Sequence, residues 1–214
     1  MLKAGVLERR EETQVRNEPV QARSAARLSS LLDAAARVVD EYGYDRLTTA
    51  MVAERAGASI GTVYRYFPDR IAVLDALSSR AVRRLLQVIE ERTSDSADAA
   101  ATVETILDAY VEMYRTEPGF RVLRYSDSSD QRPTGIPASV GALVRSLADL
   151  AGRRGFDVSS RSAGFRLEVV VTLCTSLVHR AFATDRSGDE RFITEASELA
   201  ADYLSSIRPE LKSA

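Results

Sequence analysis

Cysteine and histidine are nearly missing from this chain, which has one of each, Cys174 and His179. A lone thiol permits no internal disulfide, as expected for a protein kept in the reducing cytoplasm. Two such residues fall short of a zinc ligand set, so no metal and no cofactor are expected. At helical spacing they point about 140° apart, so they do not face each other as a nucleophile and its base would. The run GASIGT at 57–62 lacks the lysine and the spacing of a phosphate loop. Asp127 and Asp130 read as ordinary loop carboxylates, so no catalytic residue is assigned and no enzyme is expected. Of the 29 basic residues only Lys3 and Lys212 are lysines, and the net charge is −2. That balance argues against coating nucleic acid by bulk charge. It leaves room for a local basic patch from Arg23, Arg27, Arg46, Arg55, Arg65 and Arg70. No apolar run reaches 18 residues and the mixed-charge start lacks a signal-peptide core, so neither a membrane span nor export is expected.

What is present is helical periodicity, and it is most informative from Leu47 to Arg70. Thr48 can cap a short helix whose Val52, Ala53 and Ala56 recur on one side, and Gly57 follows where a left-handed cap residue is expected. Ser59 can cap a second helix, which Pro68 must end. Helix, Gly-containing turn and short helix form the pattern that reads a DNA major groove. Around the second helix, Ile60, Val63 and Phe67 share the face expected in a core. The opposite face carries Gly61, Thr62 and Arg65, with Tyr64 and Tyr66 on its flanks. Arginine can bond two acceptors on a guanine edge, and hydroxyls suit phosphate oxygens. Spacing alone fits an ordinary surface helix with one arginine equally well.

The order of these residues settles more than their spacing. Residues 28–75 resemble the N-terminal domain of the TetR (tetracycline-repressor) family of bacterial transcriptional regulators. The resemblance rests on Ala34, Ala35 and Ala36, Gly43, Leu47-Thr48-Thr49, Val52-Ala53, Ala56-Gly57-Ala58-Ser59, Gly61-Thr62-Val63-Tyr64, Tyr66-Phe67 and Leu74. Ala58 stands where the family commonly has Val, Tyr66 where it often has His, and Arg70 where it often has Lys. On this resemblance Thr48, Thr49, Gly61, Thr62, Tyr64, Arg65, Tyr66 and Arg70 are the expected DNA-binding residues.

The rest of the chain reads as all-α. Residues 1–22 carry mixed charge and little periodicity, so a flexible tail is expected; its arginines reaching a minor groove is the sharper alternative. Leu28, Leu31, Leu32, Ala35, Val38, Val39 and Tyr42 make one helical stripe ending at Gly43, which completes a three-helix head over 23–70. Asp69 can start a fourth helix, with Ile71, Leu74, Leu77 or Ser78, Ala81, Leu85 and Ile89 on one side, and it runs without a break into a larger domain over 71–210. Further stripes follow, with Tyr110 and Tyr114 on the first, a short helix at 120–125 and a polar loop at 126–135.

The segment from Phe165 to Phe182 is apolar nearly all round, which predicts a core on one side and a second subunit on the other. With the final helix it would build an isologous four-helix dimer contact through Val170, Leu173, Cys174, Leu177, Phe192, Leu199 and Tyr203, although two core helices of a monomer also fit. A two-fold dimer would present two recognition helices about 34–36 Å apart to a palindromic operator in double-stranded DNA. The resemblance also implies dimerisation through the last two helices and a small-molecule effector pocket in the larger domain. Tyr110, Tyr114, Phe120, Tyr125, Phe165 and His179 are candidate walls, although each also fits plain core packing. The reading is therefore a cytoplasmic repressor released by an effector. The alternative is a ligand-binding or adaptor protein whose helix-turn-helix no longer binds DNA.

Overall fold

The computed structural model describes residues 18–93, 99–123, 138–153 and 160–211. The expected tail up to residue 17, the polar loop at 126–135 and Tyr125 lie outside the described residues. Among those described, the chain is helical throughout and contains no strand. The head holds α1 (Glu18–Tyr42), a 3-10 turn (Tyr44–Arg46), α2 (Thr49–Arg55) and α3 (Ile60–Tyr66). Then come α4 (Arg70–Arg92), α5 (Ala99–Thr116), a 3-10 turn (Phe120–Val122), α6 (Ala138–Arg153), α7 (Arg161–Ala181) and α8 (Glu190–Leu211).

The starts and stops follow from local chemistry. Thr48, Ser59, Asp69 and Ser160 each accept a first-turn N–H at the start of α2, α3, α4 and α7. Gly57 takes φ +58° after α2, the left-handed conformation the sequence pattern predicts there. The helix α3 stops at Tyr66, before Phe67 and Pro68.

Packing turns these pieces into one body. A single buried cluster runs from Leu31, Val52 and Val63 in the head through Leu74, Leu85 and Ile89 of α4 to Phe120, Phe182 and Ala196. Ala34, Ala35 and Ala36 are all buried, because α2, α4 and the 120–122 turn close around α1 from different sides. Arg80 of α4 bonds the Asp33 carboxylate at 2.6 Å and the Leu32 carbonyl at 3.2 Å. At the far end, α7 and α8 pack along each other.

Four expected core residues are not buried. Ile60, placed in the core by periodicity, is 44% exposed, and Leu28, Tyr42 and Ile71 are also exposed. Helical side chains lean toward the helix N-terminus, so Ile60, the first residue of α3, and Ile71, the second of α4, overhang their helix ends and lack a layer to pack on. Tyr42 stands on the last residue of α1. Leu28 lies in a stretch, Gln21 to Ser30, where every residue is exposed. The helix α1 starts at Glu18, so it takes in residues the sequence pattern leaves to the tail.

Candidate nucleic-acid interface

The turn between α2 and α3 is set by Gly57 and by the Ser59 cap, whose oxygen accepts from Thr62 N–H at 3.1 Å. Val63 and Phe67 are anchored in the core, which fixes the rotation of α3. The opposite face is therefore outside: Gly61, Tyr64 and Arg65 are exposed, and Thr62 and Tyr66 are half-buried. The Arg65 guanidinium lies 5.3 Å from the centre of the Tyr66 ring, which steadies a long exposed side chain.

Hydroxyl groups are hydrogen-bonded at several points on and beside α3. Thr48 accepts from Met51 N–H at 3.2 Å, and that cap uses a lone pair while leaving the O–H free to donate. Thr49 Oγ1 lies 3.5 Å from the Tyr64 hydroxyl, which joins the start of α2 to the outer face of α3. Ser59 and Thr62 share a hydroxyl hydrogen bond of 2.9 Å. On the other flank the Ser24 hydroxyl of α1 meets Tyr66 Oη at 3.2 Å. That bond first, and then Arg65, holds the Tyr66 phenol below its ordinary pKa. Sequence reasoning missed Ser24, because nothing in the local pattern of α1 shows that a residue 42 positions away lies beside it.

Arg70 sits differently from the rest of the expected DNA-binding set. Its Nη2 donates to the carbonyls of Tyr44 at 2.8 Å and Asp45 at 3.2 Å, tying the start of α4 to the 3-10 turn.

Of the expected effector-pocket walls, the structure brings four together. Tyr110, Tyr114, Phe120 and His179 are buried and joined by Phe182, with ring centroids 4.9 Å apart for Tyr114 and Phe182 and 5.2–5.5 Å apart within the Tyr110, Tyr114 and Phe120 trio. Tyr110 Oη and His179 Nε2 are hydrogen-bonded at 2.9 Å. Phe165 is not among them; it is 63% exposed near the start of α7. Among the described residues no group of three or more His, Cys, Asp or Glu side chains converges on a metal-sized site.

The expected interface residues divide in a similar way. Val170 is buried in the subunit's own core, and Cys174, Leu177, Phe192, Leu199 and Tyr203 are half-buried. The Cys174 thiol donates weakly to the Ala196 carbonyl at 3.5 Å, and burial pushes its pKa up to about 11. Leu173 is 40% exposed, and Arg180 lies over the Phe192 ring at 5.1 Å. No helix among the described residues is long and apolar enough to cross a membrane.

Comparison with known proteins adds an independent line. Residues 31–77 match the family model of bacterial regulatory proteins of the tetR family, and residues 97–207 match that of the tetracyclin repressor-like C-terminal domain. An uncharacterized HTH-type transcriptional regulator of Mycobacterium tuberculosis is 39% identical over 178 residues, which cover 81% of this chain and 92% of the relative. The nucleoid occlusion factor SlmA of Actinobacillus pleuropneumoniae is 35% identical over 79 residues, and the match spans 37% of this chain but only 39% of SlmA. The solved structure of a TetR-family transcriptional regulator from Streptomyces coelicolor superposes with a TM-score of 0.72 at 34% identity, covering 86% of this chain and 98% of that one.

Proposed function

The chain belongs to the TetR family of bacterial transcriptional regulators, and from that premise we propose that it is a cytoplasmic, sequence-specific repressor released from its operator by a small molecule. The observation that carries the proposal is the split on α3. Val63 and Phe67 lock one side into the core, while Gly61, Tyr64 and Arg65 stand outside with Thr62 and Tyr66 beside them. Arg65 reads a guanine edge in the major groove, and the hydroxyls of Thr48, Thr49, Thr62, Tyr64 and Tyr66 take phosphate oxygens. Gly61 lets the backbone approach the duplex. We assign Arg70 a positioning role, because its donors already hold the 44–46 turn.

The operator is a palindrome read by a homodimer. Leu173 supports this, because it is a large apolar side chain left 40% exposed on α7, and the exposed Phe165 lies on the same helix. The effector site centres on Tyr110, Tyr114, Phe120 and His179. In this structure those rings touch one another, so a ligand enters by parting them. An effector loosens DNA only by preferring the conformation in which the two heads no longer match the half-sites.

The experiment is to incubate the purified protein with fragmented genomic DNA, sequence what it retains, and repeat the binding to the recovered site by gel shift. A shared inverted repeat among the retained fragments is the expected result. No specific shift, even at low salt, would sink the proposal and favour an adaptor that has lost DNA binding.

A further inference from the structure

The stretch Gln21 to Ser30 of α1 contributes no fully buried residue. Every residue in it is exposed, ten consecutive helical residues or about 15 Å of helix, with Leu28 at 36% exposure. Short helices without tertiary packing are marginal in water. The stretch is QARSAARLSS: two arginines, no acidic residue and mostly small side chains, within a chain of net charge −2. Neither arginine is in an ion pair among the described residues, whereas Arg55, Arg80 and Arg84 bond Glu41, Asp33 and Glu117. Arg23 and Arg27 lie one turn apart, and Ser24 falls within about 100° of both around the helix. Ser24 is the residue that meets Tyr66 at 3.2 Å, so the arginine side of α1 runs beside the end of the recognition helix.

We propose that the exposed half of α1 is a second DNA-contact element, in which Arg23 and Arg27 hold backbone phosphates flanking the groove entered by α3. This rests on the DNA-binding reading of α3 and extends its footprint outward. The small residues Ala22, Ser24, Ala25 and Ala26 let the helix approach the duplex, and the guanidinium groups supply charge without sequence preference. After Ser24 and Arg65, the Arg27 charge makes the smallest contribution to holding the Tyr66 phenol below its ordinary pKa. Charge complementarity and continuity with α3 both select the phosphate backbone as the occupant.

The test uses the full-length protein and the operator recovered from genomic DNA, with affinity measured from about 50 to 200 mM salt. The variants are R23A/R27A, the charge-keeping R23K/R27K, and R153A/R191A as a control that removes the same charge from the larger domain. The expected result is that R23A/R27A weakens binding at least tenfold at the lower salt and reduces the slope of log K against log salt by roughly 1.8, at 0.9 per phosphate contact. It does so equally for matched and mismatched operators, with unchanged helicity, while the lysine pair keeps the slope and the control pair behaves as wild type. Wild-type binding together with an unaltered slope in R23A/R27A overturns this inference alone. Failure of the wild type to bind any DNA specifically removes the reading of α3, and this inference falls with it.

Discussion

Gly119 donates its backbone N–H to Asp40 Oδ1 over 2.9 Å, which fastens the turn after α5 onto α1 of the head. Arg186 reinforces the same point by bonding the Asp40 carbonyl at 3.0 Å. Phe120, the next residue, is part of the aromatic cluster around Tyr110 and His179. The expected effector site therefore touches the head through this turn as well as through α4. Gly119 has φ +77°, and a Cβ there would lie 2.7 Å from the Ala36 Cα. Gly119→Ala should then cost roughly 2–5 kcal/mol, from the left-handed backbone and from displacing α1. Urea unfolding measures it, and a variant within about 0.5 kcal/mol of wild type would show that α1 can yield.

Gly61 presents the opposite case. A Cβ there meets nothing in the chain closer than Ser59 Oγ at 3.9 Å, and the residue sits inside α3 with an ordinary helical backbone. Gly61→Ala should leave stability unchanged or raise it by up to about 1 kcal/mol. Operator affinity should nevertheless fall at least tenfold, because the new methyl points where the duplex approaches. Thermal unfolding and gel shift on the same sample separate the two effects. Retained affinity would mean that DNA does not come close to this face.

Arg65 and Arg70 should fail in different ways. Arg65→Ala should cost about 1–3 kcal/mol on the cognate operator and relax preference at one base pair. Arg70→Ala removes two charge-assisted bonds to carbonyls, so it should lower fold stability by about 1–3 kcal/mol and weaken all DNA sequences evenly. Binding to an operator library reports both patterns. An even loss across the library for Arg65→Ala would show that base readout lies elsewhere.

Cys174 should resist alkylation in the native protein near neutral pH. Burial lifts its thiol pKa from 9.0 to about 11, and the thiolate is the reactive form. Its folded pKa is raised, so the native state keeps the proton that the unfolded chain releases. The contribution to stability is whole below pH 9.0 and is lost as pH rises toward about 11. Wild type should therefore lose stability more steeply than Cys174→Ala across that window. Iodoacetamide labelling as fast in the native state as in urea, or parallel pH profiles, would contradict this.

Local chemistry along the chain sets the helices, their caps and the face α3 turns outward. Those features depend on neighbours within about four residues: Thr48, Ser59 and Asp69 bond their own first turns, and the 3.6-residue period separates Val63 and Phe67 from Gly61 and Arg65. Which parts of an apolar stripe meet a partner is settled by long-range packing. Ile60 and Leu28 fit their stripes yet are only partly covered, because full burial requires another element opposite them, and periodicity does not say where that element ends. The same reason hides Ser24 beside Tyr66, Asp40 beneath Gly119 and the carbonyls that hold Arg70. Each joins residues at least 25 positions apart, and their meeting depends on how whole helices pack against one another.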